Sequence, residues 1–154
     1  MNVPRWHSVP SGGTVRGVTR NLLNTINIDV PAEVVEETVA FWSAALGATP
    51  IQTKMPQYTI LEKAARPNRL VIQAIDEGHA GVHFDVHTDD LDAEVERLTA
   101  LGATVVDDQW KDHPGAWVIM RDPAGIEFCL VYGLNPVRPQ PILDDFYRRA
   151  RTVS

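Results

Sequence analysis

Alternating polar side chains in the segment GVHFDVHT, residues 81–88, are the clearest sign of chemistry in this sequence. Successive side chains of a strand point to opposite faces, so His83, Asp85 and His87 share one face. An imidazole titrates at about pH 6.5, so His83 is suited to proton transfer once a carboxylate orients it. Asp85 and Glu127 are the candidate carboxylates, and His83 and Glu127 are the candidate catalytic residues.

The same periodicity limits metal binding by this strand alone. The strand rises roughly 3.3 Å per residue, so neighbours on one face are about 6.6 Å apart. His83 and His87 are therefore about 13 Å apart and cannot share an ion at ligand distances of roughly 2.1 Å. A metal site on this face needs ligands from other strands.

The elements that must position these residues occur twice along the chain. The pentapeptide ALGAT stands at residues 45–49 and again at 100–104, each time at the end of an amphipathic run. A strand-like segment precedes each run, and three more, separated by turn residues, follow it. The sequence therefore predicts an α+β domain made of two tandem βαβββ modules.

Each predicted helix has one apolar stripe. The first helix opens at Pro31, and its stripe is Val35, Val39, Trp42 and Leu46. The second helix can be capped by Asp89 or Asp90, and its stripe is Leu91, Val95 and Leu98. The residues of the second helix expected to face water are Asp92, Glu94, Glu96 and Arg97. Gly47 and Gly102 follow the two helices as expected stops.

Length, charge and cysteine content narrow the class of protein. The chain has 154 residues, a net charge of −6 and one cysteine, Cys129. Nucleic-acid binding needs clustered Lys and Arg, and an internal disulfide needs two cysteines, so neither is expected. No apolar run reaches the length of a membrane span, and residues 1–20 lack the apolar core of a secretory signal. We expect a soluble, cytoplasmic protein with no nucleic-acid or membrane partner.

Two segments of different character flank the predicted modules, which occupy residues 23–77 and 80–133. Residues 1–22 contain Pro, Ser and Gly without apolar periodicity, and we expect an N-terminal extension there. Residues 134–154 form a C-terminal tail, in which ILDDFYRRAR, residues 142–151, has the spacing of a short helix. That helix is expected either to cover part of the domain or to reach a second subunit.

Three features together resemble the vicinal oxygen chelate superfamily, which includes glyoxalase I, bleomycin-resistance proteins and extradiol dioxygenases. They are the paired modules, the segment FWSAALG and the closing segment DPAGIEFCLV, and the likeness covers roughly residues 23–133. Within the superfamily the chain resembles the glyoxalase-like subgroup, whose members end in an Asp-Pro-x-Gly-x-Glu-Phe-Cys stretch. The resemblance implies that the modules form one curved mixed sheet, a cup around a ligand cavity.

The resemblance also implies where a divalent metal would bind, since active members take one ligand from each of four strands. The matching positions are Thr25 (or Asn24 with a one-residue slip), Gln73, His83 and Cys129. Only His83 has a strong ligand of the expected type, because Glu127 stands two residues before the last position. The candidate metal ligands are therefore His83, Gln73 and Cys129, and a divalent metal is not the favoured cofactor.

The cup interior implied by this fold is unusually polar. Strand alternation points one set of side chains into it: Thr25, Asn27, Asp29, Gln73, His83, Asp85, His87, Glu127 and Cys129. Unpaired polar groups are costly to bury, so these groups satisfy one another, lie at a solvated rim or dimer interface, or contact a ligand. In the ligand interpretation the substrate-binding residues are Asn27, Gln73, His83, Asp85 and Trp117, and Trp110 and Trp117 are candidate aromatic walls.

These observations favour a glyoxalase-like protein or enzyme with a degenerate metal site that binds a small organic molecule between its two modules. One alternative is a divalent-metal-dependent lyase, isomerase or dioxygenase of the vicinal oxygen chelate type. Another is a non-catalytic oligomerisation module whose cup is filled. In each case the resemblance implies a homodimer.

Overall fold

A nine-stranded mixed sheet and three α-helices make up residues 18–113, 115–136 and 138–153, which the computed structural model describes. The first module contains β1 (Thr19–Pro31), α1 (Val35–Leu46), β2 (Thr49–Gln52), β3 (Tyr58–Glu62) and β4 (Arg69–Ile75). The second contains β5 (Gly81–Thr88), α2 (Leu91–Ala100), β6 (Thr104–Asp107), β7 (Trp117–Arg121) and β8 (Glu127–Tyr132). The tail adds α3 (Gln140–Arg149) and β9 (Arg151–Val153).

The order of the strands relates the two modules to each other. The sheet runs β2-β3-β4-β1-β5-β8-β7-β6, which reads the same from either edge when β1–β4 are matched with β5–β8. The central strands β1 and β5 are antiparallel, whereas β1 is parallel to β4 and β5 is parallel to β8. The α+β class and the two βαβββ modules are confirmed, and a pseudo-twofold axis passes between β1 and β5.

The two module helices pack on the same face of the sheet, each over its own module. The core under α1 is formed by Val30, Leu61, Leu70 and Ile72 with Val35, Val39 and Trp42 of the helix. The core under α2 is formed by Leu91, Ala103, Val118, Met120 and Leu130 with Val95 and Leu98. The apolar stripes are confirmed except for Leu46, which is 44% exposed. No helix in the described ranges is both long and apolar enough to cross a membrane.

The expectation that the first helix opens at Pro31 is wrong, because Pro31 is the last residue of β1 and a 3₁₀ turn, Ala32–Val34, precedes α1. The expected glycine stop and aspartate cap are observed. Gly47 ends α1 with a positive φ of 60°, a conformation that glycine adopts without a Cβ clash. Asp90 caps α2, because its side chain accepts a hydrogen bond of 3.0 Å from the backbone N–H of Ala93.

The expectation that Glu94 of α2 faces water is wrong, because this side chain is fully buried. Thr19 and Asn21 each donate a hydrogen bond of 2.5 Å to its carboxylate, and Arg97 donates at 2.7 and 2.9 Å. The helical pattern missed this contact because β1 begins at Thr19, within the segment expected to be an extension. The rest of that segment, residues 1–17, lies outside the described residues.

The C-terminal tail packs on the domain. The observed α3 begins two residues before the predicted segment and buries Phe146. The ring of Phe146 lies so close to Gly133 that a Cβ there would be 2.9 Å away from it. β9 then pairs antiparallel with β1, with Val153 opposite Thr19. The tail therefore extends the sheet and covers part of the domain.

Candidate functional site

The sheet face opposite α1 and α2, called the open face below, carries the polar residues predicted from strand alternation. Ile26 and Ile28 pack into the core under α1, so Thr25, Asn27 and Asp29 between and beside them point to the open face. Residues paired across neighbouring strands share a face, so the register extends this assignment over the whole sheet.

Four rows of paired residues cross the open face. From the α3 end they are Trp117–Val131–His87–Leu22, then Ile119–Cys129–Asp85–Thr25–Arg69, then His83–Asn27–Val71–Ile60, and last Gly81–Asp29–Gln73–Tyr58. The second and third rows place side chains from both modules next to each other. The candidate site is thus centred on the junction of β1 and β5.

His83 is held through both nitrogens of its ring. Its Nδ1 lies 2.6 Å from Oδ2 of Asp29, and its Nε2 lies 3.0 Å from Nδ2 of Asn27 and 3.5 Å from Oδ1 of Asp85. Burial alone would lower the pKa of His83, but the bonds to Asp29, Asp85 and Cys129 outweigh it and raise the pKa to about 12. His83 is therefore an imidazolium at neutral pH. Because Nε2 is then a donor, the side-chain amide of Asn27 is expected to turn its oxygen, the acceptor, toward Nε2.

One carboxylate oxygen in this cluster has no hydrogen-bond partner among the described residues. Oδ1 of Asp29 is buried and accepts no hydrogen bond from the described residues. A buried acceptor without a donor is unfavourable unless a water or ligand satisfies it. The side chains of His83 and Asp29 keep 18% exposure and that of Asp85 keeps 20%, so the cluster remains accessible from solvent.

The same cluster contains a donor set suited to a metal ion. One ring nitrogen of His83, one carboxylate oxygen of Asp85 and Sγ of Cys129 lie within 4.8 Å of one another. Imidazole, carboxylate and thiolate are the ligands of zinc-type ions. A carboxylate on the other ring nitrogen, as Asp29 is here, orients metal-bound histidines in many proteins. The residues fit one divalent ion with three protein ligands, with the imidazolium of His83 losing one proton as the ion binds.

Neither residue matched to the first-strand metal ligand, Thr25 or Asn24, lies opposite His83. Asn27 lies opposite His83, whereas Thr25 lies opposite Asp85. Asn24 sits where the register of β1 and β5 shifts, and its Nδ2 contacts the ring of His87 at 3.4 and 3.5 Å.

The remaining predicted residues lie around this centre. Gln73, on β4, lies opposite Asp29 of β1. Trp117 is on the open face opposite Val131, and its ring stacks on Trp110 with centroids 5.0 Å apart. Glu127 is half-exposed and forms an ion pair with Arg121, while Asp29 and Asp85 are the carboxylates that contact His83.

Three further residues lie near the site and are not among those predicted from the sequence. Tyr58 lies opposite Gln73, and burial raises its pKa. Arg69 lies in the row of Asp85, and strand alternation from Gln73 back through β4 would have predicted its position. Arg138 approaches His87 from the tail, and no pattern in the sequence indicates that contact.

Comparisons with known proteins show which proteins the chain is similar to. The glyoxalase-like domain family matches residues 25–131. No curated protein sequence matches the chain. Among solved structures, hypothetical protein BH1468 from Bacillus halodurans C-125 is similar with a TM-score of 0.56 at 11% identity, over 73% of this chain and 94% of that one.

Two enzymes of known structure are also similar. A methylmalonyl-CoA epimerase in complex with methylmalonyl-CoA and NH4+ has a TM-score of 0.51 at 19% identity, over 75% of this chain and 94% of that one. A 2,2',3-trihydroxybiphenyl 1,2-dioxygenase from Sphingomonas wittichii strain RW1 has a TM-score of 0.50 at 18% identity, over 81% of this chain and 44% of that one. These likenesses show the fold. Since the family match spans more than half of its residues, the chain belongs to the glyoxalase-like domain family of the vicinal oxygen chelate superfamily.

Proposed function

We propose that the chain binds a small organic molecule on the open face, between its two modules, with His83 as the central polar contact. The observation that carries this proposal is the arrangement of His83 between Asp29 and Asn27, beside a buried Asp29 oxygen without a partner. Polar groups that converge in this way on an accessible sheet face serve to orient a ligand. Asn27, Gln73 and Asp85 are the further polar contacts, and Trp117 and Tyr58 supply aromatic surface.

Because both ring nitrogens of His83 already have partners, the hydrogen-bonding group left for a ligand at this centre, among the described residues, is the acceptor Oδ1 of Asp29. Oδ1 of Asp29 can accept a hydrogen bond from a ligand hydroxyl or a bound water. The site therefore suits oxygen-rich small molecules.

A thermal-shift screen over oxo acids and aromatic metabolites tests this proposal. We expect a binder to raise the melting temperature of the wild type, since a ligand at 100 times its Kd adds about 2.7 kcal/mol to the native state. His83→Gln should lose most of that shift. The matched control is His79→Gln, because His79 is exposed and precedes β5. Equal stabilisation of the wild type and His83→Gln by every binder would contradict the proposal.

A second candidate is a divalent-metal-dependent lyase, isomerase or dioxygenase of the vicinal oxygen chelate type. The observation that favours it is the close approach of His83, Asp85 and Cys129. These three residues would hold the ion, and Asp29 would orient His83. A bound divalent ion supplies Lewis-acid polarisation of a ligand oxygen.

Cobalt(II) titration of the purified protein tests the second candidate, because cobalt bound to a thiolate gives a charge-transfer absorption band. We expect that band in the wild type and its loss in Cys129→Ser and Asp85→Asn. Glu127→Gln serves as the control, since Glu127 pairs with Arg121 away from this cluster. Absence of the band in the wild type, or its persistence in Cys129→Ser, would rule out this metal site.

We further propose that two copies of the chain form a homodimer and that the protein is cytoplasmic. Val82 and Phe84 of the central strand β5 are 59% and 38% exposed on the helix side of the sheet, and adjoining exposed apolar residues favour an interface. A single cysteine suits a reducing compartment. Light scattering should show a dimer for the wild type and for Leu101→Ser, and a monomer for Val82→Ser/Phe84→Ser. A monomeric wild type would contradict the dimer.

A further inference from the structure

Two arginines lie on the open face near its α3 end. Arg69 begins β4 and stands opposite Thr25, which in turn stands opposite Asp85, so these three share one row. Arg138 lies in the segment before α3, and its Nη1 is 3.4 Å from Nδ1 of His87. Both arginines are partly buried.

Neither guanidinium forms an ion pair with a carboxylate of the described residues. Other arginines do form such pairs with Asp or Glu, namely Arg97, Arg121, Arg148 and Arg149. Asp145 acts on Arg69 from a distance, but it is already bonded to Arg148 and Arg149. Asp85 acts on Arg138 from a distance and contacts His83. Two partly buried guanidiniums that repel each other are an arrangement that a bound oxyanion would stabilise.

His87 and Asn24 lie next to the two arginines and provide hydrogen-bonding groups there. Nδ2 of Asn24 lies 3.4 Å from Nε2 of His87. The carboxylate of Asp145 also lines this part of the open face, and it is bonded to Arg148 and Arg149.

A small cavity lies beside these groups. Its volume is about 10 Å³, and it is lined by Leu22, Asn24, Arg69 and His87 from the sheet, by Gly133, and by Ile142, Asp145 and Phe146 from α3. That volume holds roughly one water molecule, which is also the size of one carboxylate or phosphate oxygen.

We propose that Arg69 and Arg138 together bind the carboxylate or phosphate group of an anionic ligand. This inference rests on the proposed function and names its ligand class, a small organic acid or phosphate ester whose other end reaches His83. Guanidinium groups match both oxyanions because their planar donors bond two oxygens at once. Arg69 and Asp85 lie two strands apart, about 10 Å, which a small metabolite can span.

Binding of inorganic phosphate and of acetate, measured by calorimetry and thermal shift at constant ionic strength with chloride as the reference, tests the inference. We expect saturable binding of at least one of the two anions to the wild type, and the anion with the larger effect identifies the ligand group. Arg69→Gln and Arg138→Gln should each weaken it roughly tenfold or more, because bonds to charged groups are the strong ones. Arg151→Gln is the matched control, since Arg151 is exposed on β9.

Stability in chloride separates a binding role from a structural one. The Gln variants are expected to keep the wild-type melting temperature there, because they remove a charge that forms no ion pair within the described part of the chain. Arg138→Lys keeps the positive charge but loses the planar guanidinium with its paired N–H donors, so it should retain part of the anion binding. Chloride giving the same shift as both anions, or full anion binding by Arg69→Gln/Arg138→Gln, would overturn the inference.

The variant His83→Gln distinguishes failure of this inference from failure of the proposed function. Phosphate or acetate binding should survive in His83→Gln, whereas binding of an organic ligand from the screen should not. If the organic ligand binds His83→Gln normally but needs both arginines, the proposed role of His83 fails and the anion site stands. If the organic ligand needs His83 but not the arginines, the anion site fails and the proposed function stands.

Discussion

At the scale of single residues, the chain stabilises buried charge by surrounding it with fixed partners. Glu94 receives hydrogen bonds from Thr19, Asn21 and Arg97, which outweigh the effect of burial and hold its pKa below the ordinary value. His83 is stabilised in the same way, with the opposite charge, by Asp29 and Asp85. The difference is accessibility, because Glu94 is sealed in the domain and His83 is not.

Glu94→Gln should destabilise the protein at neutral pH and much less in acid. A depressed carboxylate pKa contributes stability above its unfolded value, and that stability is lost as pH falls through the folded pKa. We expect a loss of about 1–3 kcal/mol in the free energy of unfolding at pH 7, measured by urea denaturation, and a smaller loss at acid pH. Glu96→Gln, exposed on the same helix, should change little at either pH. A Glu94→Gln loss that is the same at both pH values would contradict this account.

Strand alternation predicted much of the candidate site, and the reasons for its failures are local. His83, Asp85, Asn27 and Gln73 were assigned to one face correctly because a strand has a fixed period of two. Glu94 was misplaced because helical periodicity does not show which other segment will cover a residue. Arg138 was missed because its contact joins the tail to β5, and nothing in local spacing encodes that approach.

At the scale of elements, α3 is positioned by one close contact between its apolar side and the domain. Phe146 is 2% exposed and lies against Gly133, which follows β8. A Cβ at Gly133 would also be 3.2 Å from the carbonyl oxygen of Thr88. Glycine is required here by proximity, because no other residue leaves room for the ring.

Gly133→Ala should loosen α3 and lower the melting temperature. The added methyl group forces the Phe146 ring or the backbone to move, at a cost of roughly 1–3 kcal/mol. Limited proteolysis should show faster cleavage within α3. The control is Gly81→Ala, since a Cβ there would meet only the carbonyl oxygen of His79 at 3.9 Å. Unchanged stability and cleavage in Gly133→Ala would show that the contact tolerates a methyl group.

At the scale of the whole molecule, β1 joins the two modules into one unit. It pairs with β4 of its own module, with β5 of the other and with β9 of the tail. The repeated pentapeptide and the matching elements were sufficient to predict this duplicated architecture. They did not predict the ninth strand, because its pairing with Thr19 depends on residues outside both repeats.

The two modules should therefore unfold together. Leu61→Ala removes a fully buried side chain from the core under α1 and should cost about 2–5 kcal/mol. Native-state hydrogen exchange should show the same loss of protection in β8 as in β4. The reason is that the central strand pair, β1 and β5, takes one strand from each module. Protection in β8 that survives Leu61→Ala would show that the modules open independently.

The position of α3 decides how a molecule can enter the site. The tail covers the open face beside His87, whereas Gly81 and Glu127 at the other end are exposed. The acid group of a ligand that binds the arginines must therefore enter the site first. The rest of the ligand then extends toward solvent. Long substituents far from the acid group should be accepted, and branches next to it should block entry.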